Sequence, residues 1–195
     1  MMSLLATVLL PAAQAAVPPD TATWTLLQST PVKVECTDWQ GKPYCRSTGV
    51  VSTSQATATK VFAELDKYVS KMGAITAVTR LETDTLHVVM DYPFPISDRD
   101  YVAKFTRSTR ADGTEVFAWV PVTHAKAPPT DDVVRLTWLD GEWRFAAEGS
   151  NTRVTYLWEA DPGGNLPDVG AVRKKAGTLA VTDIANACGA KVVGP

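Results

Sequence analysis

The sequence predicts an α+β fold in which a long run of antiparallel strands is closed by a C-terminal helix. Three observations carry this. From residue 75 to residue 159 the segments are strand-like, rich in β-branched and aromatic residues and punctuated by turn residues. A segment before that run and another after it carry apolar residues at helical spacing instead. The composition, 45% hydrophobic and 21% charged over 195 residues, is that of one globular domain able to bury a core.

The chain opens with "MMSLLATVLLPAAQAAVPPD", a short apolar stretch from Leu4 to Leu10 followed by Pro11 and by small residues at Ala13 and Ala15. That A-x-A pattern reads as a secretory cleavage site after Ala15 or Ala16. Residues 1–16 are therefore expected to be a signal peptide and residues 17–195 one domain, periplasmic or secreted. No basic residue precedes Leu4, which fits a start codon lying further upstream. The apolar run is far shorter than the ~20 residues a spanning helix needs. The formal net charge of −2 offers no field for nucleic acid or acidic headgroups.

Next comes "TATWTLLQSTP", which reads either as one helix or as an opening strand. Strand-like "VKVEC" and "YCRSTGVV" flank a Gly41-Lys42-Pro43 turn signal, so a hairpin brings Cys36 and Cys45 together. In an oxidising compartment these can form a disulfide; in a reducing one they remain two small buried thiols. Their spacing matches no zinc motif, and no metal or cofactor is expected. "SQATATKVFAELDKYVSKMG" reads as a helix with Val61, Phe62, Leu65 and Val69 on one face and Gly73 as its stop.

Strands follow at "ITAVTRLE", "DTLHVVMDY", "RDYVAKFTRSTR", "EVFAWVPVTHA", "DVVRLTWL", "EWRFAAEG" and "TRVTYLWEADPGG". Asp140-Gly141, between Trp138 and Trp143, is a hairpin signal. From Leu166 to about Val192 the pattern is helical, with a face of small or light residues at Gly177, Ala180, Ile184 and Cys188. A terminal helix is the late element that can cover an apolar sheet face. Small residues opposite large aromatic ones leave either an apolar cavity or a space that Trp119, Trp138, Trp143 and Trp158 fill themselves, and composition leaves both open.

The stretch "MDYPFPISDRDYVAKF", Met90 to Phe105, breaks a strand at Pro93 and Pro95 and restarts it at Arg99-Asp100. Proline is tolerated at a strand end, where no ladder hydrogen bond is needed. Together with the later "TRVTYLWEADPGGNLP", this stretch resembles the StAR-related lipid-transfer (START) family, over about Trp24 to Ala190. The resemblance implies a helix-grip fold: a curved antiparallel sheet around a long C-terminal helix, enclosing a hydrophobic tunnel for one lipid. Arg99 reads as a structural tie at the corner. Some sterol-transfer members carry a buried Arg where this chain has Phe105, paired with an acid near the place of Leu86. Both charges are absent here, which turns the expectation from a sterol toward an acyl-chain or other apolar ligand.

Strand alternation then selects the wall. The expected ligand-binding residues are Leu86, Val88, Met90, Tyr101, Phe105, Leu136, Trp138, Tyr156, Ile184 and Cys188, with Thr123 to Asp132 and Asp161 to Gly170 as gates. A monomer with transient membrane contact is expected. An interaction domain with a filled cavity is the alternative. An enzyme is the weakest reading, since the two histidines fall on the outer face (His87) and in a loop (His124), with no nucleophile motif beside them. A titratable group inside the cavity would discriminate, because acid–base chemistry needs one.

Overall fold

A computed structural model of the chain describes residues 16–91, 97–159, 161 and 169–195. Residues 1–15 of the expected signal peptide, the Pro93/Pro95 corner and residues 162–168 of the expected gate at 161–170 lie outside the described residues.

The segment after the leader is a strand, β1 (Thr25–Gln28), not a helix. It pairs with β2 (Lys33–Trp39), which turns into β3 (Lys42–Val51). This hairpin forms as expected, one residue tighter. Gln40 and Gly41 both have positive φ, 53° and 78°, the type I′ geometry that matches the right-handed twist of two strands. Its register sets Cys36 opposite Cys45, and the two are joined in a disulfide.

The expected single helix over residues 54–73 is shorter. Ser54 caps α1 (Gln55–Ala63) by accepting from the Thr57 N–H at 3.3 Å, and two 3-10 turns follow, Leu65–Lys67 and Val69–Lys71. Arg80 supplies a reason for the break. Its guanidinium donates to the Ala63 carbonyl at 2.9 Å and to Asp66 at 2.5 Å, satisfying the helix end from the side. β4 (Ile75–Glu82), β5 (Thr85–Met90), β6 (Arg99–Thr109) and β7 (Glu115–Pro121) then run antiparallel in sequence order.

The Asp140-Gly141 hairpin is overturned. Val134–Arg135 (β8) makes only a short parallel pairing with β6, and Gly141 opens β9 (Gly141–Glu148), which pairs with β7 and with β10 (Asn151–Glu159). Gly141 does not have a positive φ. It is required because a Cβ there would strike the Leu157 carbonyl and lie 2.6 Å from the Trp119 ring. The signal was a close approach, not a turn.

The strand order is β1-β2-β3-β10-β9-β7-β6-β5-β4, with β8 beside β6. α2 (Val169–Ala187) lies across the concave face. It ends earlier than the pattern suggested. Gly189 takes φ 65° and a Schellman pair closes the helix, Ala190 N–H to Ala185 O at 2.9 Å and Gly189 N–H to Asn186 O at 3.0 Å. Beyond it, β11 (Val192–Gly194) joins the edge of β3. This is the helix-grip architecture.

One flank of α2 is seated on β3 by glycines. A Cβ on Gly177 would collide with Ser47 Oγ and come within 2.9 Å of Trp158, and one on Gly49 would come within 3.0 Å of Val181. Gly177, Val181 and Ala185, spaced four apart, form the buried stripe of that contact.

Candidate functional site

Along the opposite flank of α2 lies a cavity of about 190 Å³. Its floor is built by cross-strand rows. Phe117, Trp143 and Tyr156 form one row across β7, β9 and β10; Phe105, Trp119, Gly141 and Trp158 form the next. Tyr156 stacks on Trp143 at 4.4 Å and on Trp158 at 4.5 Å, and Trp119 stacks on Tyr156 at 5.6 Å. Each such pair is worth about 0.5–1.5 kcal/mol beyond burial, so the floor is rigid. The aromatics thus fill part of the concave face and leave the space nearest α2 open.

Alternation places Val88 and Met90 of β5 on the wall with Tyr101 and Phe105 of β6. Leu136, Tyr156 and Ile184 also border the space. Three expected residues do not. Leu86 is buried and pairs with Ala103 on the same face, but parity chooses a face and not how far along the strand the space extends. Trp138 lies in irregular chain, where alternation does not apply; its indole N–H donates to the Asp161 carbonyl at 3.2 Å, and Leu139 takes the wall position. Cys188 lies past the end of α2, where its half-buried thiol packs on the core beyond the cavity.

The expected gate at Thr123–Asp132 is also misplaced. That loop covers the convex face, where Ala127 packs on Leu81 and Val102. Lys126 donates to the Leu81 carbonyl and Arg135 to the Ala127 carbonyl, tying it down. Beneath it Arg135 grips both oxygens of Asp100, at 2.8 and 2.7 Å, and His87 Nε2 lies 2.7 Å from Asp100 Oδ2. Burial works to raise the Asp100 pKa, but the hydrogen bonds and charges of Arg135 and His87 outweigh it and hold the carboxyl below the usual range. His87 therefore belongs to the outer face, and His124 sits near Glu82 in the loop. Arg99 donates to the Ser97 carbonyl at the strand restart.

Residues the sequence reading missed are Leu65, Met72 and Ile75, which come from the broken helix and the start of β4 to close one side. Also missed is Asp183 on α2, which is only 4% exposed and borders the cavity. Its oxygens accept from the Gly73 N–H at 2.8 Å and the Ala74 N–H at 3.4 Å. Burial raises its pKa and the two amides only partly offset this. A signal existed: Asp183 is the one charged residue in "AGTLAVTDIANACGA". Titratable groups at the other end of the helix, Arg173, Lys175, Asp161 and Glu159, also border the space.

A curved sheet gripping a C-terminal helix over an apolar cavity defines a class of hydrophobic-pocket folds. The particular family follows from comparison: the START domain profile matches residues 33–184, and the chain belongs to that family. An uncharacterized protein of Pseudomonas aeruginosa is 30% identical over 148 residues, 70% of each chain. Among solved structures, a STAR-related lipid transfer protein from Xanthomonas axonopodis superposes with a TM-score of 0.69 at 20% identity, covering 85% of this chain and 97% of that one. Human StAR-related lipid transfer protein 5 gives 0.71 at 19% identity, covering 87% and 88%.

Proposed function

We propose that this domain is a carrier that encloses one hydrophobic molecule, a lipid or lipid-like compound, between α2 and the concave face of the sheet. The observation that carries the reading is the cavity itself: a mostly apolar space walled by Val88, Met90, Phe105, Leu136, Leu139 and Ile184 and left open by the flank of α2 that the glycines do not seat. The names of the structurally similar lipid transfer proteins point the same way. Binding would be sequestration, worth about 0.8 kcal/mol for each buried CH₂.

Size constrains how it works. At about 190 Å³ the space is smaller than the roughly 300–1,000 Å³ of pockets that enclose drug-sized ligands. To admit a whole lipid the space would widen, by movement of α2 away from Met72–Ile75 or of the segment 161–170, while the glycine-seated flank stays on β3. Transient membrane contact would accompany that opening, in a monomeric, exported protein. The Cys36–Cys45 bond fits an oxidising compartment.

A second reading, an interaction domain with a largely filled cavity, is favoured by the stacked Trp119, Trp143, Tyr156 and Trp158. Catalysis, the third reading, has no histidine at the cavity, since His87 and His124 lie on the convex side; the titratable group it would require there is Asp183. Native mass spectrometry of protein purified from the periplasm separates these readings. One co-purifying hydrophobic species per chain is the expected result. An apo mass, with no uptake of added fatty acids, phospholipids, sterols or alkyl amines, would leave the filled-cavity domain.

A further inference from the structure

We propose that Asp183 reads the head of the ligand and selects molecules whose head donates a hydrogen bond and carries no negative charge, an alkyl amine or alcohol rather than an alkanoate or phosphate. This rests on the carrier reading above and names the class of ligand that reading would admit.

The argument starts from an uncompensated charge. A carboxylate removed from water is costly unless a cation answers it. Asp183 is 96% buried, yet its described partners are two backbone amides and no Lys, Arg or His. The nearby Lys71 has its ammonium over the Tyr68 ring at 5.6 Å. The cations that border the cavity, Lys175 and Arg173, lie eight and ten residues earlier on α2, about 12 and 15 Å along the axis at 1.5 Å per residue.

Asp91 meets this end through its backbone, donating its N–H to the Ala74 carbonyl at 3.0 Å, and is itself exposed to solvent. The like charge an anionic head would meet is that of buried Asp183, in an apolar, poorly screened space. An ionised carboxylate can only accept hydrogen bonds, and each oxygen has a lone pair to spare beyond its amide. The complement is a donor. An ammonium adds charge to that bond; a hydroxyl supplies the bond alone.

Tryptophan fluorescence of the mature chain, reported by Trp143 and Trp158 in the cavity wall, gives a direct test with three probes of equal chain length: decylamine, 1-decanol and decanoate at pH 7.5. Decylamine and decanol should bind at least about tenfold more tightly than decanoate, the scale of a hydrogen bond to a charged group. In Asp183→Asn the preference for the amine should collapse while decanoate binding improves. Decanoate binding as tightly as the others in the wild-type chain, a result that needs no variant, would overturn the assignment. So would an unchanged preference in a folded Asp183→Asn protein. Binding of none of the three would also overturn this assignment, while the carrier reading would stand or fall on the mass spectrometry with larger lipids.

Discussion

Asp100 and Asp183 are equally buried, 2% and 4% exposed, and their pKa values move in opposite directions. Burial pushes both upward. On the convex face Asp100 has a two-pronged guanidinium and an imidazole, and it ends below the ordinary value. On the concave face Asp183 has two amides, and it ends above. The difference lies in what surrounds each carboxylate. The convex side is tied together by charge and closed by a loop, whereas the concave side keeps a charge without its counterpart beside an open space. A carboxylate spent on structure is paired; one left unpaired at a cavity wall is available to a ligand.

The largest test breaks the paired side. Arg135→Ala leaves Asp100 buried with only His87 beside it, and denaturant unfolding should show a loss of about 3–5 kcal/mol. A loss comparable to that of an exposed ion pair would mean the triad does not hold the loop to the sheet. Next, Gly177→Val forces a side chain into Ser47 and Trp158, and should cost about 1–3 kcal/mol while prising α2 from β3. If stability is unchanged, α2 is not seated there and the division between its two flanks is wrong.

The pH dependence sharpens the comparison with a smaller effect. Because the folded pKa of Asp183 is raised, its ionisation opposes folding above that pKa, and the penalty disappears as pH falls toward the ordinary 3.8. Asp183→Asn should therefore melt at or above the wild-type temperature at pH 7, with the gap closing on acidification. For Asp100 the sign is reversed: its contribution is complete above the ordinary carboxyl range and is lost as pH falls through its lowered pKa. Melting curves from pH 7 to pH 4 on wild type and variant check the sign for Asp183; for Asp100 the curves must be carried below pH 3.8. A gap that widens on acidification would contradict the assignment to Asp183. The smallest effect should come from Arg153→Ala, whose pair with Glu148 is exposed on both sides; a change within about 0.5 kcal/mol is expected by the same unfolding assay.

Much of the cavity wall was legible because strand alternation is local. Val88, Met90, Tyr101 and Phe105 follow from period two alone, and the Cys36–Cys45 hairpin follows from a turn that demands positive φ at Gly41. Leu86 fails for the same reason the others succeed: the period says which face, and nothing about how far the space extends. Trp138 fails because its segment is not a strand. The loop after Val122 looked like a gate because it is Pro-rich and lies between elements, yet the Arg135–Asp100 pair, 35 residues apart, carries it to the other face.

The sequence by itself determined the run of antiparallel strands and its closing helix, the face the central strands turn inward, the hairpin that joins the cysteines and the family to which the domain belongs. These are set by periods of two and 3.6, by turn residues and by motifs within a few residues of one another. Only the tertiary structure decided where α2 is seated on β3 and where it borders the cavity, that Gly141 serves a close approach, that the helix before β4 ends early against Arg80, and that Asp183 is left without a cation. Each of these depends on which distant side chain arrives at a given place, and packing at that range is written in no local pattern.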